Sequence, residues 1–392
     1  MQPLDGMTVI SLEQAVAAPF ATRQLADLGA RVIKVERPGA GDFARRYDET
    51  VYGQSSYFVW LNRSKESLTL DLKSPEGGQI LRELIDTADV FVNNLGPGAI
   101  DRLGLDAPTL TAVHPRLVHC TVSGYGTTGA WSHRKAYDLL VQAETGLVSV
   151  TGTPEAGARA GISVADIAAG MYAYSGILTA LLQRATTGKG STLEVSLFDA
   201  LAEWMGNPAY YTMYGGTPPP RAGAEHATIA PYGPYACATG DIVMLAIQNQ
   251  REWLAFCTNV IEQPELADDP RFVTNPARCA HRTELNAIIT ARFARLSTDD
   301  AIGRLDAAAI ANARVNTMTQ FADHPALVSR DRWVEVDTPG GAIKALKPPA
   351  VFSGGEPRMA AVPAIGEHTD AILTELGRSA ADIDRLRSQG TL

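Results

Sequence analysis

Cysteine is scarce in this 392-residue chain: there are four, Cys120, Cys237, Cys257 and Cys279, far apart and with no CxxC pair. Paired thiol chemistry and a zinc site of ordinary spacing are excluded, and all four are expected to be reduced thiols. The seven histidines form no HxxxH or HExxH pair, so a metallohydrolase is excluded and no metal is expected. Basic charge is also short, with 34 Lys and Arg against 43 Asp and Glu and a net charge of -9. Binding to a phosphate polymer leans on clustered cations, so nucleic acid is not an expected partner. A local basic pocket for a small phosphorylated ligand stays open.

Several phosphate and nucleophile motifs are missing. The first turn after a strand reads Glu13-Gln14-Ala15-Val16-Ala17-Ala18-Pro19, without the glycines that let a backbone approach a pyrophosphate. Glu36 at the end of the next strand is too little alone to support a nicotinamide cofactor. Gly188-Lys189-Gly190-Ser191 lacks the leading Gly of a Walker A loop and reads as a tight turn. No GxSxG elbow offers a serine nucleophile. The N-terminal run Met1 to Gly6 has neither the basic region nor the cleavage site of a secretory signal, and the expected location is cytoplasmic. The most apolar stretch, 161–183, carries Asp166 and three glycines, and is read as a buried core helix without membrane association.

What is present is the composition of an ordinary globular protein, 45% hydrophobic and 20% charged, with length enough for two domains. Residues 8–12 read as a buried strand, 17–28 as an amphipathic helix ended by Gly29, and 31–35 as a second strand. The alternation continues with helix 77–87, strand 90–92, helix 105–113, strand 117–122, a long helix up to Arg184 and strand 192–197. Parallel neighbours need helical crossovers, so the expected fold is α/β, a Rossmann-like doubly wound parallel sheet in a large domain covering 1–212. The Gly/Pro-rich segment 213–224 reads as a linker that continues no helix. A smaller α+β domain over 225–318 opens with a hairpin within 235–248. Near the C-terminus, Ser379 and Asp382 have the spacing of a capping box, with Gly377 ending the preceding helix.

One acid stands out. Asp166 begins a helix that is otherwise almost wholly apolar. Ser163 as N-cap with Asp166 as third helical residue forms a capping-box pattern, a purely structural role. At the edge of a core, desolvation equally makes a carboxylate a better nucleophile or base. The residues alone leave both roles open.

Together with these features, a series of motifs resembles the class III CoA-transferases, the family of formyl-CoA transferase and the carnitine and bile-acid CoA-transferases, over essentially the whole chain. They are Leu25-Ala26-Asp27-Leu28-Gly29-Ala30 with Val32 to Glu36, Asn62-Arg63-Ser64-Lys65 with Leu70-Asp71-Leu72-Lys73, Pro97-Gly98 with Leu103-Gly104-Leu105, Ala136-Tyr137-Asp138 with Gln142-Ala143, Pro231-Tyr232, and Gly366-Glu367-His368-Thr369. The resemblance implies that residues 319–392 return to complete the large domain, and that two subunits interlock as a homodimer. It puts the catalytic acid on Asp166. Tyr137, Asp138 and Gln142, with Val16 and Gln14 from the first turn, are implied on the acyl side. Arg37, Lys65, Asn94, Leu95, Arg102 and Lys135 are implied around coenzyme A. The substrates implied are an acyl-CoA and a free carboxylic acid, with no permanently bound cofactor. CoA would pass through an acyl-aspartyl anhydride and an aspartyl-CoA thioester.

Two departures from the family pattern are visible. The loop 223–230 reads Gly-Ala-Glu-His-Ala-Thr-Ile-Ala where family members carry a run of glycines, and Val16 stands where some members have Gln. Two other functions compete. An α-methylacyl-CoA racemase shares the fold, but has His where this chain has Tyr137 before Asp138; a non-catalytic CoA-binding protein would not need Asp166. For the acid itself, Arg45, Arg46, Arg134 and Arg221 are candidate partners of a dicarboxylate.

Overall fold

The computed structural model describes residues 2–392, which divide into two compact units. The first comprises 1–147, 160–207 and 328–392; the second comprises 148–159 and 208–327. Relative to the expected boundaries, the second unit also takes up the excursion 148–159. The segment expected as linker is helical at its start, since the helix Gly206–Gly215 runs into it.

The first unit is built on six parallel strands: β1 (Thr8–Leu12), β2 (Arg31–Glu36), β3 (Lys65–Thr69), β4 (Val90–Asn93), β5 (Val118–Ser123) and β6 (Thr192–Ser196). Their spatial order is β3-β2-β1-β4-β5-β6, a doubly wound order with its reversal at β1. Successive side chains alternate across the sheet. Val9, Val32, Val92 and Cys120 pack on one face with Ala18 and Leu25 of the helix Ala17–Asp27 and with Ala169, Ala173 and Ile177 of the helix Val164–Thr187. Ile10, Ile33, Leu68 and Phe91 pack on the other with Leu81, Leu110, Leu373 and Leu386. Strands covered on both faces are largely apolar in both registers, which is why β1 and β4 read as hydrophobic runs; β2 carries Val32, Ile33 and Val35 but interrupts them with the buried Lys34.

Strand β3 is not evident in the sequence because its residues Lys65-Glu66-Ser67 are polar. Each has a partner that explains it: Lys65 pairs with Glu13 at 2.6 Å, Glu66 with Arg31 at 2.8 Å, and Ser67 donates to Glu36 at 2.7 Å. This edge strand is covered by the returning chain. Ser64 N donates to Ala361 O at 2.9 Å, His368 N to Ser67 O at 3.0 Å, Ser67 N to His368 Nδ1 at 3.2 Å, and Thr69 N to Thr369 Oγ1 at 3.1 Å.

The helix Val164–Thr187 is, among the described residues, the one long and apolar enough to cross a membrane. Here one of its faces is packed in the core. Ala165, Ala168, Ala169, Ala173, Ile177 and Ala180 fall three or four apart and are all buried. Gly170 permits the closest approach, since a Cβ there would lie 2.7 Å from Ala17 O. At the C-terminus the capping box of Ser379 and Asp382 is formed, and Gly377 has φ +82° after its helix.

The second unit has its own core of Trp253, Phe256, Phe272, Phe293 and Leu305. It lies against three antiparallel strands, β7 (Tyr232–Ala236), β8 (Ile242–Ala246) and β9 (Ala311–Arg314), of which β7 and β8 form the expected hairpin. The loop 223–230 is tied into this unit: Glu225 pairs with Arg282 at 2.9 Å, and His226 stacks on Tyr232 with ring centroids 5.2 Å apart.

Candidate active site

In a doubly wound sheet, the loops leaving the carboxyl ends of the strands converge where ligands bind. The turn after β1 carries Gln14 and Val16. Asn94, immediately after β4, clamps this turn: its Oδ1 accepts from Gln14 N at 2.9 Å and its Nδ2 donates to Gln14 O at 2.8 Å. Two residues expected on opposite parts of the substrate are thus one unit. Val16 occupies the N-cap of the helix Ala17–Asp27, is 3% exposed and offers no side-chain cap.

The start of the Asp166 helix is organised differently from either reading of its sequence. Ser163 is the N-cap residue, yet its side chain makes no capping hydrogen bond. The cap comes from Asp138, at the start of the helix Asp138–Glu144. Asp138 Oδ1 accepts from Ala165 N at 2.8 Å and from Asp166 N at 3.3 Å, while Oδ2 accepts from Gln142 Nε2 at 2.7 Å. Gln142 is fully buried; its Oε1 accepts from Ala160 N at 2.9 Å. The capping box expected from Ser163 and Asp166 is therefore absent, because another carboxylate already occupies the helix amides.

This leaves the Asp166 carboxylate with no hydrogen bond or ion pair among the described residues. Burial, with the Asp138 charge adding to it, makes it a weaker acid and pushes its pKa up to about 7. A group that feels its charge is one the sequence did not single out. Tyr47 has its phenol pushed up to about 12 by burial and by the carboxylates of Asp42 and Asp166, with Tyr137 also contributing. It stays a neutral O–H donor beside the acid. Its ring meets Tyr57 edge-on at 5.5 Å. Tyr137 itself is largely exposed.

The expected CoA residues divide. Arg37 directly follows β2, Leu95 follows β4, Arg102 ends the short helix Ala99–Arg102, and Lys135 lies on a later loop of the same unit; the three cations are exposed. Lys65 does not join them. Its ammonium is wholly buried, 2.6 Å from Glu13 Oε1, 3.0 Å from Asn62 Oδ1 and 3.1 Å from Pro19 O. A cation so enclosed has no donor left for a phosphate, and its phosphate role is withdrawn. The cation that follows the carboxyl end of β3 is Lys73, which is exposed.

The four arginines considered for a dicarboxylate also divide. Arg45 pairs with Glu36 at 2.7 Å and lies over the Phe58 ring at 3.7 Å. Arg134 lies over the Trp131 ring at 4.0 Å and 3.7 Å from Glu144. Arg221, in the second unit, donates to Thr153 O and Pro154 O, each at 2.8 Å. Arg46 is exposed. A separate cleft of about 340 Å³, lined by Met171, Tyr174, Arg332, Lys347 and Phe352 among others, shares no residue with this cluster. Two of its cations are engaged internally, Arg332 with Lys347 O at 2.8 Å and Lys347 with Glu356 at 3.2 Å.

A doubly wound sheet and a raised, unpartnered aspartate at a helix start converge with what this chain matches. Residues 4–369 match CoA-transferase family III. The chain belongs to this family. It is a class III CoA-transferase. Among its relatives, succinyl-CoA:glutarate CoA-transferase of Mus musculus is 34% identical over 400 residues, covering 100% of this chain and 91% of that protein. Acetyl-CoA:oxalate CoA-transferase of Acetobacter aceti is 35% identical over 347 residues, covering 87% and 89%. The crystal structure of a CAIB/BAIF family protein from Brucella suis is similar with a TM-score of 0.85 and 33% identity, over 96% of this chain and 99% of that one.

Proposed function

We propose that this CoA-transferase moves CoA from an acyl-CoA to a free dicarboxylic acid, with Asp166 as the covalent carrier. The observation that carries the reading is the Asp166 carboxylate, raised to about 7 and left unpartnered because Asp138 caps its helix. A nucleophile must be anionic yet basic enough to attack, and an acidity near neutrality meets both needs. The dicarboxylate is supported by the relatives named for glutarate and oxalate.

In the first step an Asp166 oxygen attacks the thioester carbonyl, the C–S bond breaks, and an acyl-aspartyl anhydride and CoA thiolate form. The thiolate then attacks the aspartyl carbonyl, releasing the donor acid and leaving aspartyl-CoA. The acceptor carboxylate attacks that thioester to form a second anhydride. Thiolate attack on the acceptor's own carbonyl finally releases the new acyl-CoA and restores Asp166. Acylation removes the charge that burial disfavours, so the environment that raises Asp166 also favours its esterified states. The Tyr47 phenol, which feels the Asp166 charge and stays protonated, is the proposed donor to oxygen developing charge there.

Arg37, Lys73, Arg102 and Lys135 supply charge for the CoA phosphates. The protein acts in the cytoplasm as a homodimer. The helix Gly206–Gly215 supports the dimer, since none of its residues is buried in the single chain and Tyr210, Met213 and Tyr214 are each at least 65% exposed. The deciding experiment is incubation with succinyl-CoA or acetyl-CoA followed by mass spectrometry of the peptide containing Asp166. An acyl or CoA adduct on Asp166 is expected; turnover with no adduct there, including after rapid quenching, refutes the carrier role.

A further inference from the structure

Beneath the acyl-side turns lies a buried cluster of charge that the transfer chemistry does not use. Lys34, on β2, has no side-chain exposure and sits 2.8 Å from Asp42 Oδ2 and 3.4 Å from Glu13 Oε1. Burial alone would lower the affinity of Lys34 for its proton, but Asp42, Glu13 and Glu36 outweigh it and hold it charged. The second oxygen of Asp42 points elsewhere. Oδ1 accepts from Ala15 N at 3.1 Å and from Ala44 N at 2.9 Å.

Those two amides belong to the two segments that frame the acid. Ala15 lies between Gln14 and Val16 and has φ +61°, a left-handed conformation that a residue with a Cβ adopts only under constraint. Ala44 lies in the short 3-10 turn Phe43–Arg46 that delivers Tyr47. With Asn94 clamping Gln14 from the other side, one carboxylate couples a buried cation to both segments.

We propose that Asp42 is a positioning residue: anchored on Lys34, it holds the Gln14–Val16 turn and the turn before Tyr47 in register with Asp166, and so sets the rate of acyl transfer. An aspartate is needed because both oxygens must accept. Asparagine has one acceptor, and the buried ammonium claims it, which turns the amide NH2 toward Ala15 N–H and Ala44 N–H. Donor then faces donor, and the left-handed turn is released. The effect on rate rests on the reading of Asp166 as carrier, whereas the effect on the turn does not.

The test uses the full chain with succinyl-CoA and glutarate, and with acetyl-CoA and oxalate. Asp42→Asn is expected to lower kcat by about tenfold while KM for the acyl-CoA stays within about twofold, since misplacement by a fraction of an ångström costs rate before binding. Ala15→Gly in the same chain should recover at least about threefold of kcat, because glycine adopts the left-handed turn without help. A purely structural role for Asp42 would lower the thermal midpoint with no such recovery. A fall in kcat below about threefold, or a loss that Ala15→Gly leaves untouched, overturns the proposal. Hydrogen–deuterium exchange is read in parallel: the peptide spanning residues 13–17 should exchange faster in Asp42→Asn while residues 164–187 do not change, and unchanged exchange at 13–17 also overturns it. This second readout separates failure of the positioning role from failure of the Asp166 reading, because it needs no turnover. Should Asp42→Asn not fold, Asp42→Asn with Lys34→Met is used: with the ammonium gone the amide oxygen is free to accept from Ala15 N and Ala44 N, so exchange at 13–17 should stay as in the wild type, and faster exchange there overturns the proposal.

Discussion

Asp138 caps a helix to which it does not belong: its Oδ1 lies 2.8 Å from the amide nitrogen of Ala165, the residue before Asp166. One carboxylate is thereby consumed in capping so that the next is left without a partner. The Asp138 charge also opposes ionisation of Asp166, so the same residue fixes the start of its helix and raises its pKa.

Replacing Asp166 by Ala or Asn should lower CoA exchange by at least about 1,000-fold, as loss of a covalent nucleophile does. Stability at neutral pH should not fall, because a desolvated acid is being removed. Exchange between acyl-CoA and labelled acid, with thermal melting alongside, checks both. Solvent deuterium entering the α-position without an acceptor acid would point to racemisation instead.

The raised pKa of Asp166 predicts two pH effects of opposite sense. Because the anion attacks, kcat over KM should climb with pH and level off above about 7. Because the folded value lies above the ordinary 3.8, the protonated carboxyl favours the fold: that contribution is full below 3.8 and is lost as pH rises through about 7. Asp166→Asn stays neutral throughout. Its thermal midpoint relative to the wild type should therefore increase from pH 4 to pH 7, and a constant difference across that window would contradict the assignment.

Asp138→Asn retains an oxygen for the Ala165 amide and removes the opposing charge, at the cost of turning its NH2 toward Gln142 Nε2. The inflection in the pH–rate profile should move below 7. Asp138→Ala removes the cap as well and should destabilise the protein by about 1 kcal/mol, the usual loss for an N-cap. Denaturant titration and pH–rate profiles of the two variants separate these roles.

Lys65 and Lys73 should fail in different ways. Lys65→Ala leaves Glu13 buried with only the more distant Lys34, and a broken buried pair destabilises by about 3–5 kcal/mol. Lys73→Ala should leave stability within about 0.5 kcal/mol and raise KM for acyl-CoA, more so at low salt. Denaturation curves and steady-state kinetics at two ionic strengths distinguish them.

The α/β alternation was legible because strands buried on both faces must be apolar throughout, as Val9-Ile10 and Val90-Phe91-Val92 are. Strand β3 was not, since its polar residues are answered by partners far away in sequence. The same reason hid the fate of Lys65, whose counter-charge Glu13 lies 52 positions away. Asp166 was visible as an acid opening an apolar helix, but the local spacing suggested a cap from Ser163. The true cap, Asp138, is 27 residues distant, a relationship no local pattern encodes. Tyr47 was missed because a tyrosine in a loop carries no signal until its neighbours are known.

The lacing of β3 by residues 360–369 bears on how the molecule is made. A ribosome releases the six sheet strands in order, and each of β1 to β6 is out by residue 196. The backbone that closes the outer rim of β3 is translated more than 160 residues later. Throughout that interval the nascent chain carries an unpaired strand edge, the kind of surface to which other extended chains adhere. Chaperone dependence during synthesis should therefore concentrate on this rim, and a ribosome stalled before residue 360 should yield a chain that aggregates although all six sheet strands have long been translated.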